Sequence, residues 1–205
     1  MGKYLVILLS CYAVPVLAGF ANMRSDAVDG DKYSYRIPAN AGAIVYLLHS
    51  DDEQKFVRDQ NNHQFINSLI AQGYGVVSIS GHAHADSSGA ILPVGSHKSF
   101  LQLLEAVHQR LIINEQGYRE QMPLFAVGFS NAGCFTAYLA SLSDRKYPKL
   151  SVLTNLRAIS LYSTHTHHGI NVKRNYKVPM IMSIGLPGMR KEWNKHTVSF
   201  FTNAN

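Results

Sequence analysis

A short stretch in the second half of the chain places a serine where it could act as a nucleophile. Residues 124–129 form an apolar run typical of a buried strand, and residues 131–142 carry small and apolar residues at helical spacing. Ser130 lies between them, within the letters GFSNAG. A serine at a sharp strand-to-helix turn has its side chain pushed out of the sheet, and the tight turn requires small residues two before and two after it. Those two residues are Gly128 and Ala132.

The strand, Gly-x-Ser-x-small-Gly turn and helix resemble the nucleophile elbow of the α/β-hydrolase family. In that family the serine attacks a carbonyl carbon, and the backbone N–H of the next residue helps to bind the oxyanion. The resemblance therefore implies that Ser130 is the nucleophile and that the Asn131 N–H is an oxyanion donor. Ala132 departs from the glycine most often found there, by one methyl group that still fits the turn. The alternative is a glycine-rich turn with an incidental serine.

A second oxyanion donor is expected after an earlier buried strand. Residues 43–48 are continuously apolar and are followed by His49, Ser50 and two aspartates. In the α/β-hydrolase family the strand at this position commonly ends in His-Gly, and the following loop supplies an oxyanion N–H. His49 matches that histidine, whereas Ser50 departs from the glycine. The resemblance implies the Asp51 N–H as the second donor; the alternative is an ordinary Asx-rich turn.

A general base and an orienting acid are harder to find. The family order is serine, acid, histidine. After the apolar strand at residues 178–184 the candidate acid is Glu192, and the only histidine downstream of it is His196. Two explanations stay open. Either the sequence stops before the family's last strand and histidine, or His196 has been recruited by a shortened route, which gives the hypothesis of a Ser130–His196 dyad.

The other histidines raise the question of a metal site. Five of them follow predicted strands, namely His82, His84, His165, His167 and His168. Neutral imidazoles at short spacing can bind Zn²⁺, but no H-E-x-x-H motif or cysteine partner accompanies them, and loop histidines are usually solvated. We therefore expect no metal and no cofactor. His63 and His108 fall in predicted helices, and we expect both at the surface.

Alternating strands and helices position these residues. They predict an α/β fold with a three-layer, doubly wound and mostly parallel sheet, in which ligands bind at the carboxyl ends of the strands. The predicted strands are residues 33–37, 43–48, 75–80, 124–129, 156–163 and 178–184, and the predicted helices are residues 61–72, 98–113 and 131–142. Residues 33–37 alternate large apolar with polar side chains, as an edge strand or a half-exposed strand does. Residues 33–205 are expected to form one domain, preceded by a linker at residues 19–32.

The first 18 residues have the pattern of a secretory signal peptide. Lys3 is followed by an apolar run and a small-residue ending at Ala18. The apolar run is too short and too interrupted to be a typical membrane anchor. A lipoprotein cleavage box before Cys11 is a weaker alternative. We expect a secreted or periplasmic protein without a stable membrane anchor. Removal of the leader would leave Cys134 as the single thiol, expected to be buried, so no intramolecular disulfide could form.

Composition restricts the function classes. The chain of 205 residues is 46% hydrophobic and 16% charged, which indicates one globular domain. The net charge of +6 is spread along the chain without a Lys/Arg run, so we expect no nucleic-acid partner.

The resemblance to the α/β-hydrolase family implies a carboxylesterase similar to the dienelactone-hydrolase-like group, acting on a small-molecule ester through an acyl-serine. The alternative is a non-catalytic or truncated binding protein of the same fold.

Overall fold

A seven-stranded sheet with helices on both faces forms the part of the chain that the computed structural model describes, which is residues 22–81, 96–130, 132–143, 150–162, 178–183 and 201. The strands are β1 (Arg24–Val28), β2 (Asp31–Arg36), β3 (Ala43–His49), β4 (Tyr74–Ser80), β5 (Leu124–Phe129), β6 (Leu156–Tyr162) and β7 (Met180–Ser183). The helices are α1 (Glu53–Arg58), α2 (Gln60–Ala71), α3 (Ser96–Asn114), α4 (Ala132–Ser143) and α5 (Ser151–Thr154).

The strand order confirms the predicted doubly wound sheet. The strands lie in the order β1-β2-β4-β3-β5-β6-β7. All pairs from β4 to β7 are parallel, and only the β1–β2 and β2–β4 pairs are antiparallel. β3 and β5 lie in the middle and are buried at every position, because helices cover both faces of the sheet there. Their continuous apolar runs are the sequence signature of that position.

Two hydrophobic cores sandwich the sheet. Alternate residues of β3 point to opposite faces, so that Tyr46 packs in the core with α3 and α4, whereas Leu47 packs in the core with α1 and α2. Phe201, near the end of the chain, lies in the second core and stacks on Phe125 of β5 with ring centroids 4.6 Å apart. Together the sheet and the two helical layers give the predicted three-layer architecture.

The amino-terminal edge differs from the prediction. Residues 24–28, expected within a linker, form β1, and β2 is therefore an interior strand rather than the edge. Asp29 and Gly30 make the connection with φ angles of 52° and 90°, and Val28 pairs with Asp31. Two central residues with positive φ match the right-handed twist of a two-residue hairpin, and Asp-Gly is a preferred sequence for it.

Ion pairs with α3 and the residue that follows it explain why β1 has no apolar pattern. Arg110 Nε lies 2.7 Å from the Asp26 carboxylate, and Arg24 lies 3.0 Å from the Glu115 carboxylate. The Arg110 guanidinium is the main cause of a lowered pKa at Asp26. These charged contacts attach an exposed, polar strand to a segment more than 80 residues away in sequence.

A buried polar cluster, the tyrosine cluster (Tyr46, His108 and Tyr118), links α3 to the centre of the sheet. His108 was expected at the surface, but it is fully buried and its Nδ1 contacts the hydroxyl of Tyr118, which lies 2.7 Å from the hydroxyl of Tyr46. The prediction was wrong because His108 lies one helical turn from Leu104 and Leu111, which are both buried, and so faces the core. Burial lowers the pKa of His108 and raises the pKa of Tyr118. Within the described ranges, no helix is long and apolar enough to span a membrane.

Candidate active site

The turn between β5 and α4 holds Ser130 in an unusual backbone conformation. Its φ is +51°, and its side chain is exposed. A non-glycine residue in this left-handed region is uncommon and persists only where the surrounding structure imposes it. The Ser130 N–H donates to the carbonyl of Tyr162 at the end of β6, and the Ser130 carbonyl accepts from the N–H of Gly133, each at 2.9 Å. The serine is therefore held on a fixed turn with its hydroxyl at the surface.

The small residues around Ser130 are required by close packing. A Cβ at Gly128 would lie 2.6 Å from the Gly133 Cα and would also collide with the hydroxyl of Thr136. Ala132, the departure from the usual glycine, is fully buried in the core with its methyl group accommodated. The first turn of α4 thus crosses so near the end of β5 that only glycine fits at position 128.

The loop after β3 lies beside this turn. Leu48 pairs with Gly128, so Asp51 and Ser130 follow adjacent strands at the same edge of the sheet. Asp51 is exposed, and no hydrogen bond among the described residues uses its N–H. The next residue, Asp52, caps α1 by accepting from the Lys55 N–H at 3.0 Å. The Asp51 N–H is accordingly available to a ligand at the edge where Ser130 is exposed.

His49 belongs to a second buried polar cluster, which we call the site cluster (His49, Glu53 and Ser78). His49 Nε2 lies 3.0 Å from Glu53 Oε2 and 3.0 Å from Ser78 Oγ. The imidazole stacks on Phe56 with ring centroids 3.7 Å apart and planes 2° apart. All three cluster residues are buried, at the carboxyl end of the sheet.

The site cluster has the residue types of a serine–histidine–acid triad without its geometry. In a catalytic triad the acid and the serine contact opposite nitrogens of the imidazole. Here Glu53 and Ser78 contact the same nitrogen of His49, and the Ser78 side chain is fully buried. The cluster therefore anchors β3 to α1 and β4. Sequence reasoning singled out His49 alone; the acid four residues later was the signal for Glu53, whereas Ser78 could be found only from strand pairing.

The remaining predicted site residues lie outside the described residues. These are Asn131, Glu192 and His196, together with the five loop histidines considered for a metal, and their roles stay predictions. Within the ranges that the structure describes, no group of three or more His, Cys, Asp or Glu side chains could hold a metal ion. Cys134, one turn beyond Ser130, is buried as predicted. Of the predicted constellation, the described residues include Ser130 and Asp51, which follow adjacent paired strands at the same edge of the sheet.

Comparison with known proteins identifies the fold. No protein-family model matches the sequence, and no curated protein matches it in sequence. Dienelactone hydrolase from Anabaena variabilis superposes with a TM-score of 0.53 over 86% of this chain and 80% of that enzyme, at 14% identity. The chain therefore has the α/β-hydrolase fold.

Two larger enzymes match a smaller share of the chain. A thermostable carboxyl esterase from Bacillus coagulans matches 69% of this chain and 44% of its own, at 15% identity and a TM-score of 0.43. A monoglyceride lipase from Saccharomyces cerevisiae matches 75% of this chain and 47% of its own, at 15% identity and a TM-score of 0.44. The chain spans about half the length of these two proteins.

Proposed function

We propose that this protein is a serine hydrolase that cleaves a carboxylic ester through an acyl-serine intermediate on Ser130. The observation that carries the proposal is the φ of +51° at an exposed serine between a buried strand and a helix. An incidental turn with this conformation would favour glycine or asparagine, which adopt positive φ more readily. A serine kept there despite backbone strain is what a nucleophile elbow requires.

The proposed reaction begins with attack of Ser130 Oγ on the ester carbonyl carbon. The hydroxyl proton passes to a histidine, for which His196 oriented by Glu192 is our candidate, while the carbonyl electron pair moves onto oxygen. The N–H groups of Asn131 and Asp51 stabilise that oxyanion. Collapse of the tetrahedral intermediate expels the alcohol, which takes the proton from the histidine. Water then attacks the acyl-serine by the same steps and releases the acid.

The substrate class is proposed from chemistry that esters and lactones share. Dienelactone hydrolase has the same fold at a TM-score above 0.5, and its name denotes hydrolysis of a lactone, an internal carboxylic ester. The Ser130 side chain lies at the surface, where a small-molecule ester can reach it. We accordingly propose a small ester or lactone as substrate.

Labelling with a fluorophosphonate probe tests the proposal. Such probes react with serines activated by a nearby base, and mass mapping identifies the modified residue. We expect modification at Ser130 that is abolished in Ser130→Ala and retained in Ser68→Ala, which changes an exposed serine on α2. Absence of labelling in folded protein would contradict the proposed hydrolase and favour the alternative, which is a non-catalytic binding protein of this fold.

Substitution of His196 tests the proposed base. General-base catalysis contributes roughly 10²- to 10⁴-fold to rate, so His196→Ala should lower kcat for p-nitrophenyl acetate by about that factor. The expected effect of Glu192→Gln is smaller, because an orienting acid acts through the histidine. Full activity in His196→Ala would exclude the Ser130–His196 dyad while leaving Ser130 as the proposed nucleophile.

We also propose that residues 1–18 direct the protein out of the cytoplasm as a cleaved leader. The basic start, apolar run and small-residue ending support this. Amino-terminal sequencing of protein recovered from the periplasm or the medium should begin at Gly19. An intact Met1 on the recovered protein would contradict the proposal.

A further inference from the structure

We propose that Ser80 is a positioning residue for hydrolysis at Ser130, because its hydroxyl holds the loop that presents the Asp51 N–H. Ser80 is the last residue of β4, and its Oγ donates to the Asp51 carbonyl at 2.6 Å. This inference rests on the proposed function and assigns a supporting group to the oxyanion site.

The hydrogen bonds on either side of the Asp51 N–H explain how Ser80 would act. That N–H belongs to the peptide unit between Ser50 and Asp51. The preceding carbonyl, that of His49, accepts from the Gly81 N–H at 2.7 Å, and the following carbonyl, that of Asp51, accepts from Ser80. Peptide units are planar and rigid, so fixing the two neighbours restricts rotation of the unit between them. Both restraints come from the carboxyl end of β4.

The two ends of the loop are anchored independently of Ser80. The His49 imidazole is buried and held by Glu53 and Ser78. On the other side, the Asp52 carbonyl accepts from the Phe56 N–H at 2.9 Å and its side chain caps α1. The segment between these anchors is where the exposed Asp51 lies. In the described part of the chain, Ser80 supplies the side-chain hydrogen bond to that segment's backbone at Asp51.

At this loop, the orientation of the Asp51 N–H matters more for the rate of hydrolysis than the strength of substrate binding does. Oxyanion donors accelerate acyl transfer because they point at the developing charge before the reaction begins. Loss of the Ser80 hydroxyl leaves the Asp51 N–H present but less well oriented. Since the oxyanion forms in the transition state, the loss should lower kcat and leave KM almost unchanged.

Steady-state kinetics of the full chain on p-nitrophenyl acetate test the inference. We expect Ser80→Ala to lower kcat about 10-fold, less than the roughly 10²- to 10³-fold loss when an oxyanion donor is deleted outright. KM should change by less than about two-fold. Ser80→Thr keeps a hydroxyl and should retain kcat. Ser68→Ala is the matched control, since its hydroxyl also donates to a carbonyl, that of Gln64 at 2.8 Å, but on α2.

The outcomes separate this inference from the proposed function. Unchanged kcat in Ser80→Ala, with Ser130 still labelled by fluorophosphonate, would overturn the role of Ser80 and leave the hydrolase standing. A lower melting temperature with unchanged kcat would overturn it as well, because it would show a purely structural role. Absence of both labelling and hydrolysis in the unsubstituted protein would overturn both proposals. A fall in kcat that is seen in Ser80→Ala and is absent from Ser80→Thr supports the inference.

Discussion

Two buried histidines lie on opposite faces of the same sheet, and they differ in the chemistry of their partners. His49, in the site cluster, contacts a carboxyl group on the face covered by α1 and α2. His108, in the tyrosine cluster, contacts a phenol on the face covered by α3 and α4. Each ring has a second nitrogen that is buried without a hydrogen-bond partner among the described residues. The same residue type thus contacts a carboxyl group in one core and a phenol in the other.

The position of each cluster explains the difference. The site cluster lies at the carboxyl end of β3 and β4, next to the loop that carries Asp51, and it includes the only buried carboxyl group recorded in the described residues, that of Glu53. The tyrosine cluster lies at the middle of β3 and joins α3 to the sheet. A buried carboxyl group is tolerated when a partner satisfies it, whereas neutral hydroxyl and imidazole groups need only hydrogen bonds. The first cluster should therefore be the more sensitive to loss of one member.

His49→Phe should have the largest effect on stability. Phenylalanine keeps the stacking on Phe56 but leaves Glu53 buried without its nitrogen partner. We expect the free energy of unfolding to fall by about 3–5 kcal/mol, measured by urea denaturation. The double variant His49→Phe/Glu53→Leu also removes the carboxyl group that lost its partner, and it should restore most of the lost free energy of unfolding. A loss below about 1 kcal/mol in the single variant would contradict the importance assigned to this pair.

Tyr118→Phe should have the next largest effect. The Tyr118 hydroxyl is the centre of its cluster, and its removal leaves both the His108 nitrogen and the Tyr46 hydroxyl without this contact. We expect a loss of about 1–3 kcal/mol in the free energy of unfolding. Because this cluster lies at the middle of β3, whereas Ser130 follows the carboxyl end of β5, the rate of Ser130 labelling should not change. A change in that rate in fully folded protein would show that the tyrosine cluster is coupled to the turn at Ser130.

Tyr46→Phe tests the tyrosine cluster with a smaller change. Tyr46 is at the end of the cluster, so the substitution removes one hydrogen bond, of 2.7 Å, and leaves the contact between Tyr118 and His108 intact. We expect a loss of about 1 kcal/mol by urea denaturation. A loss equal to or larger than that of Tyr118→Phe would mean that Tyr118 is not the centre of the cluster.

The pH dependence of stability gives the smallest expected effect. Burial lowers the pKa of His108 in the folded protein, and the charges of Glu105 and Glu120 oppose that shift only in part. Below about pH 6.5, and down to the folded pKa, the unfolded chain binds more protons at this residue, so its contribution to stability falls as the pH falls. The slope cannot exceed about 1.4 kcal/mol per pH unit. His108→Gln should have a flatter stability profile between about pH 7 and pH 5 than the unsubstituted protein, as judged by denaturation at each pH; identical profiles would contradict the assignment.

The fold was largely predictable from the sequence where the residue pattern of a single segment is enough to identify its secondary structure. β3, β5 and β6 are buried at most or all positions, and strands covered on both faces need the continuous apolar runs that the sequence displays. β1 has no such run because Asp26 and Arg24 attach it through charges to Arg110 and Glu115. His108 was misplaced for a related reason, since a histidine beside an apolar stripe is buried only if a partner such as Tyr118 lies in the core.

Local sequence was enough to establish that a serine stands on a tight turn between a strand and a helix. Steric demands there act over a few residues, so Gly128 and Ala132 already identify the turn around Ser130. The surroundings of that turn depend on the folded arrangement. The register that pairs Leu48 with Gly128 brings the Asp51 loop to the serine, and β4 brings Ser80 across 29 residues to hold that loop. Contacts of this kind depend on strand pairing between distant segments, which no local pattern of residues encodes.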